Sequence, residues 1–333
     1  MARIIAAGIA AAAGSAACGS TPASPSNNST SSNPGAGFPA GTLSLAASPI
    51  DQSAIRWITP LGNLNPPDHT VPSDHIYFYF ADPNAGESIT ARRTPFFAPG
   101  SGTVTFIIGG AGQESKVMFR QTSTFSYYVD HVILDAAMPL GTTVTAGQRI
   151  GVTGNAYAVD LGVVNDSITV PFLVPSRYNN ESLNADAPLK YFSEPVRSQL
   201  YARVQRLGSQ LDGLINYDVA GRLSGNWFLQ GNTALAFAFV YDTYDPSRVL
   251  ISSSGLPVGV YEIAAGDPAP RDVSAASGKV IYSLARTNGG PNPPHDSIPV
   301  FLLVQMTDDT HLRSEFFSAR PADFTAAARM WIR

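Results

Sequence analysis

Short runs of β-branched, aromatic and aliphatic residues, each bounded by Gly, Pro, Asn or Asp, recur along most of the chain. The clearest lie at 76–80, 102–108, 116–121, 127–134, 234–241, 258–263, 279–284 and 300–307. Runs of that length and composition predict β-strands separated by turns. The run at 234–241 is apolar at every position. A strand covered on both sides, or one lining a barrel, has that pattern.

Helical periodicity is confined to two places. Val196, Leu200, Val204, Leu207 and Leu211 recur at spacings of three and four and predict an amphipathic helix over 195–214. Pro195 suits its first turn and Gly213 its end. A second, weaker helix is expected over 322–332. The helix at 195–214 divides the strands into two groups. The expected fold class is therefore mainly β: a first β domain at 46–192, a linking helix at 193–216, and a second antiparallel β domain at 217–333 that closes with a short helix. No repeat of fixed period is present, which argues against a propeller or a solenoid.

The beginning of the chain changes the picture of where the protein works. Met1-Ala2-Arg3 is followed by an apolar run from Ile4 to Ala13 and then by Gly14-Ser15-Ala16-Ala17-Cys18. A short basic start, an apolar stretch of about 7–15 residues and small residues at its exit make a secretory signal over 1–18. The run is shorter than the roughly 20 residues a membrane-spanning helix needs. The small residues before Cys18 are similar to the lipobox of bacterial lipoproteins, although Ser15 stands where that family usually has Leu. The resemblance implies lipidation on Cys18 and a membrane anchor; ordinary cleavage after an Ala is the alternative. Residues 19–45 are mostly Ser, Asn, Pro, Thr, Gly and Ala and read as a disordered tether.

Cys18 is the only cysteine in 333 residues, so no disulfide can form within the chain and its core must hold it together. A net charge of -4 with 14% charged residues shows no basic patch, which excludes a nucleic-acid partner. The expected location is the cell envelope.

Three segments of the first half carry candidate chemistry. The first is Ala98-Pro99-Gly100-Ser101-Gly102-Thr103-Val104. The second is the strand Tyr127-Tyr128-Val129-Asp130-His131-Val132-Ile133-Leu134. The third is Val144-Thr145-Ala146-Gly147-Gln148-Arg149-Ile150-Gly151. In this order they resemble the lysostaphin-like zinc endopeptidases, which cut peptide cross-links of bacterial cell walls. The resemblance covers roughly 55–175. It implies a zinc ion, a site residue at His131, and a metal-binding segment upstream, where Asp68-His69-Thr70-Val71-Pro72-Ser73-Asp74-His75 stands. On that basis His69, Asp74 and His75 are candidate metal ligands, and His131 and Asp160 candidate catalytic groups.

Two departures weaken the match. His69 and Asp74 are one residue too far apart, and an odd separation puts two residues on opposite faces of a flat strand. The expected His-x-His strand reads Asp160-Leu161-Gly162, with no imidazole. Alternation along the strand also places His131 on the face of Tyr127 and Val129, among apolar neighbours. The expected function is thus an envelope protein with a catalytically degenerate lysostaphin-like domain that binds cell-wall peptide or an envelope partner. The alternative is an active endopeptidase with a rearranged zinc set such as His69, His75 and Asp160.

In the second half, Gly225-Asn226-Trp227 beside a strand is similar to the opening of lipocalin-like barrels, where the tryptophan plugs one end. A turn followed by a core aromatic accounts for it equally. A small-ligand barrel would have a deep apolar pocket near Trp227 and Phe237. Asp242 and Asp245 lie in a turn cluster without the stepped oxygens of a calcium loop. His295 and His311 have no partner set at metal or triad spacing.

Overall fold

The computed structural model describes residues 35–255, 257–287, 295–296 and 300–333. The expected export signal, Cys18 and residues 19–34 of the expected tether lie outside them. The first half contributes β1 (Trp57–Thr59), β2 (His75–Tyr79), β3 (Pro95–Phe97), β4 (Gly102–Ile108), β5 (Glu114–Arg120), β6 (Phe125–Leu134), β7 (Thr143–Val144), β8 (Arg149–Thr153), β9 (Ala158–Asn165) and β10 (Ala185–Asp186). These form one ten-stranded sheet with the order β1-β2-β9-β6-β5-β4-β7. β10 pairs with β9, β8 with β6, and β3 with β8.

The alternation along β2 decides the sheet's two faces. Ile76 and Phe78 enter the core, where they meet Phe119, Tyr127, Val129, Val159 and Leu161 from neighbouring strands. His75, Tyr77 and Tyr79 face the other way. Cross-strand register sets His75 beside Gly162 and Gly162 beside Tyr128, and one step on sets Tyr77 beside Asp160 and Asp160 beside Asp130. The polar candidates of three strands thereby share one face of the sheet.

The second half contributes β11 (Gly225–Leu229), β12 (Asn232–Tyr241), β13 (Val249–Ser253), β14 (Gly259–Ile263), β15 (Val280–Thr287), β16 (Val300–Met306), β17 (His311–Phe317) and β18 (Arg329–Ile332). Each pairs antiparallel with the next, and β18 returns to β11, closing an eight-stranded barrel. The expectation of a mainly β molecule holds. The apolar run in β12 serves both sides of the barrel wall: Phe237 and Phe239 point inward, while Ala238 and Val240 pack outside against Leu64 and Tyr217.

An eight-stranded barrel is just wide enough for side chains to fill it. Here Trp227, Phe237, Phe239, Tyr261, Tyr282 and Trp331 do so, all at 2% exposure or less. That removes the deep apolar pocket a small-ligand barrel requires near Trp227 and Phe237. Trp227 donates to the Leu223 carbonyl at 2.8 Å, and the Arg333 guanidinium stacks over its ring at 4.2 Å.

Three sequence expectations need correction. The end of the tether expected over 19–45 is part of the first half: Leu43 and Leu45 are buried in its core, and the Pro39 carbonyl accepts from the Ser123 amide at 2.8 Å. Apolar side chains at these two positions anchor a segment whose composition is otherwise that of a linker. The helix over 195–214 exists only as Val196–Tyr201. Beyond it the Arg203 carbonyl and the Gln205 amide bond to Ile58, and Gly213 pairs with Leu61, so the segment edges the sheet instead of coiling. Leu200 and Val204 still pack on the core, but Leu207 is exposed. The C-terminal stretch is strand β18 and not a helix, because Trp331 is needed inside the barrel and its neighbours supply the last hydrogen-bonded seam.

Candidate functional site

His75 opens β2, and its ring lies between two carboxylates. Its Nδ1 donates to Asp74 Oδ1 at 2.9 Å, and its Nε2 lies 3.3 Å from Asp160 Oδ2. Asp74 stands just before the strand, where the chain has freed it from the sheet's alternation. Its Oδ1 also accepts from the Tyr128 hydroxyl at 2.8 Å, and its Oδ2 accepts from the Ser182 hydroxyl at 2.5 Å. Burial alone would raise the Asp74 pKa, but the bonds from His75, Ser182 and Tyr128 hold it well below the usual carboxylate range. Burial likewise disfavours the His75 cation, and the charges of Asp160 and Asp74 overcome it and raise the pKa.

Asp160 is the second focus. It is 4% exposed, and its Oδ2 also lies 3.7 Å from His131 Nε2. His131 reaches it because its backbone takes φ +60°, a left-handed conformation within β6 that non-glycine residues seldom adopt. This overturns the expectation that His131 shares the face of Tyr127 and Val129. The kink turns its ring from the core face to the face of Asp160. The local partners that hold it there are the Asp130 carboxylate, accepting from the His131 amide at 2.7 Å, and Glu114 Oε1, 2.7 Å from His131 Nδ1. Glu114 is itself fixed by the Asn155 amide and side chain at 3.2 and 2.8 Å. Burial opposes the His131 cation, yet Asp160, Glu114 and Asp130 together raise its pKa to about 9.

His69 completes the cluster from a turn closed by reciprocal backbone bonds between Asn65 and His69, both 2.9 Å. It is not on a strand, so the parity argument against pairing it with Asp74 does not apply. Its ring is 5.0 Å from that of His75 and 6.1 Å from that of Tyr77. Burial and the neighbouring His75 charge lower its pKa to about 4, which leaves it neutral. The structure thus gathers His69, Asp74, His75, His131 and Asp160 in one place.

The zinc set implied by the resemblance does not fit this arrangement. Asp74 already accepts three hydrogen bonds. Gly162 offers no ligand, and the space above it is taken: a Cβ there would lie 2.1 Å from a ring carbon of Tyr128. Among the described residues no group of three or more His, Cys, Asp or Glu side chains is disposed to hold a metal ion. Among the imidazoles and carboxylates of the cluster two atoms remain unmatched. His75 Nε2 and Asp160 Oδ1 are buried without a hydrogen-bond partner, the 3.3 Å approach of His75 to Asp160 Oδ2 being off the line of a hydrogen bond.

Four contributors escape sequence reasoning: Glu114, Tyr128, Ser182 and Lys116, whose Nζ sits 4.3 Å above the Tyr128 ring and 2.5 Å from Glu181. Tyr128 lay within a segment already singled out, and only the pairing of β6 with β9 reveals its role. Ser182 is 108 residues from Asp74 and carries no local signal. In the second half, His295 and His311 pair singly with Glu262 at 2.7 Å and Asp308 at 2.9 Å, and each is isolated from the cluster.

No family model matches the chain, and no curated protein matches it. Solved structures similar to part of it include Csd3 of Helicobacter pylori, at 14% identity and TM-score 0.28, over 45% of this chain and 33% of that one. The SpoIIQ–SpoIIIAH pore forming complex is similar at 16% identity and TM-score 0.29, over 47% of this chain and 96% of that one. The deep-sea M23 metalloprotease pseudoalterin is similar at 14% identity and TM-score 0.28, over 45% and 88%. The chain thus spans about a third of the length of Csd3. Likeness at this level assigns no family, and the geometry of the site carries the reading below.

Proposed function

We propose that the protein is exported to the cell envelope, tethered to the membrane through Cys18, and uses a lysostaphin-like first half to bind cell-wall peptide or an envelope partner without cutting it. The observation that carries this reading is the state of Asp74. A carboxylate whose oxygens accept from His75, Tyr128 and Ser182 has little left to offer a cation. Metal-assisted hydrolysis needs three protein ligands and an open position for water. The polar face survives without them, half-open at His131, and suits recognition better than turnover.

A second reading keeps catalysis, with zinc held by His69, His75 and Asp160. The buried and unpartnered His75 Nε2 and Asp160 Oδ1 favour it. Incubating the purified protein with isolated cell-wall sacculi separates the two. Retention on the sacculi with no soluble peptide fragments released, with or without added zinc, is the expected result. Zinc-dependent release that is lost in His75→Ala would establish the hydrolase instead.

A further inference from the structure

Three atoms in the site define a small triangle. The Tyr128 hydroxyl lies 2.8 Å from Asp74 Oδ1 and 3.3 Å from His75 Nδ1, and those two are 2.9 Å apart. Ligands at roughly 2.0–2.1 Å around a tetrahedral zinc ion stand about 3.3 Å from one another. The triangle is therefore near the size of one face of such a site, with a phenol at one corner. That corner belongs geometrically to position 162. Gly162 faces Tyr128 on one side and His75 on the other, and a Cβ built on it would lie 2.5 Å from the Tyr128 hydroxyl oxygen. A side chain at 162 would point into the place the phenol now fills.

We infer that Tyr128 and Gly162 are one compensated pair: the phenol takes the place that a metal-ligating side chain at 162 would fill and makes the pocket a hydrogen-bonded staple. The glycine is required because the ring has nowhere else to go. Tyr128 is 1% exposed, its hydroxyl is tied to Asp74, and the Lys116 ammonium covers its face. The phenol performs two of the tasks a cation would perform there. It fills the space between Asp74 and His75, and it supplies a donor to a buried carboxylate that would otherwise lose a partner. The staple reaches further than the strand pair, since the same carboxylate also binds Ser182 from the segment after β9. This inference extends the non-catalytic reading above, and the two fail separately: loss of sacculus binding leaves the metal result standing, and the reverse.

The test uses the full chain and zinc or cobalt(II) alone as probe. The wild type is expected to hold no stoichiometric zinc and to show no tetrahedral cobalt d–d bands. Gly162→His alone should melt at a lower temperature, because the new side chain and the ring compete for one space. Tyr128→Gly combined with Gly162→His should bind close to one equivalent of zinc, show the cobalt bands, and lose both when Asp74→Asn is added. A folded double variant that binds no metal, or a wild type whose stoichiometric zinc is lost in Asp74→Asn, overturns the inference. Should the double variant not fold, Tyr128→Phe decides. It keeps the ring and deletes the donor, so a melting temperature a few degrees below wild type supports the staple, and an unchanged one overturns it.

Discussion

His131 is held in an uncommon backbone conformation by the groups that also charge it. Its ordinary pKa of 6.5 is raised to about 9, because Asp160, Glu114 and Asp130 outweigh the cost of burial. The folded state therefore binds a proton that the unfolded chain releases near pH 6.5. The resulting stability is complete below that pH and is lost as pH rises through 9, up to about 3 kcal/mol. His69 works in the opposite direction. Its pKa of about 4 means the unfolded chain takes up the proton first, so stability also falls as pH drops from 6.5 toward 4. Urea unfolding of chelator-treated protein should show a maximum near pH 6–7 with a decline on either side, and a flat profile between 6.5 and 9 would contradict the assignment. Glu114→Gln removes the negative charge beside His131 Nδ1 and should move the imidazole titration, followed by NMR, back toward 6.5. At this scale His69, Asp74, His75, His131 and Asp160 were legible in the sequence, and the partners Glu114, Tyr128, Ser182 and Lys116 were not. The orientation of His131 was not, because a positive φ at a residue other than glycine leaves no trace in an alternating pattern.

At the scale of elements, the segment after Val196–Tyr201 shows what periodicity can and cannot say. The apolar spacing of Val196, Leu200 and Val204 correctly marks residues that pack on the core. It does not distinguish a helix from a chain that turns once and then runs along the sheet edge. The backbone of that run comes very close to the loop after β1: a Cβ on Gly213 would lie 2.1 Å from the Leu61 carbonyl oxygen, and one on Gly62 would lie 2.3 Å from that of Leu214. Gly213 also has φ +78°. Gly213→Ala should therefore cost about 1–3 kcal/mol or more in denaturant unfolding. Gly208 provides the control, with φ +86° but open space where its Cβ would be. Gly208→Ala carries only the backbone penalty of roughly 1–2 kcal/mol, so equal losses at both sites would show that the close approach is absent. The strands were easier to read than this connection, since each one's alternation or apolar continuity is fixed by what covers its two faces. Strand β18 was not, because the need for a final seam in a closed barrel is a property of seven other strands.

The whole molecule is joined across the outer wall of the barrel. Ala238, Val240, Leu250 and Val260 point away from the barrel interior and are buried with Leu64 and Tyr217 of the preceding segments. Around this apolar contact, the Thr59 and Tyr244 hydroxyls bond at 2.8 Å, and Thr243 donates to the Leu61 carbonyl at 2.8 Å. Arg206 adds a bond to the Thr243 carbonyl at 2.5 Å. One partner of the contact also borders the site, since Leu64 directly precedes the Asn65–His69 turn. A barrel that covers its own wall this way stabilises that turn, and the coupling is testable. The protein should melt in one calorimetric transition, and the fluorescence of a Trp57→Phe variant, which leaves only Trp227 and Trp331 of the barrel to emit, should follow the same curve. Val240→Asp places an unpaired carboxylate in the contact, at a position 1% exposed. The expected loss is several kcal/mol, and it should lower the unfolding of both halves together. If the two halves only shared a chain, the substitution would shift the barrel's transition alone and leave the sheet's melting, and the His69 and His75 resonances with it, where they were.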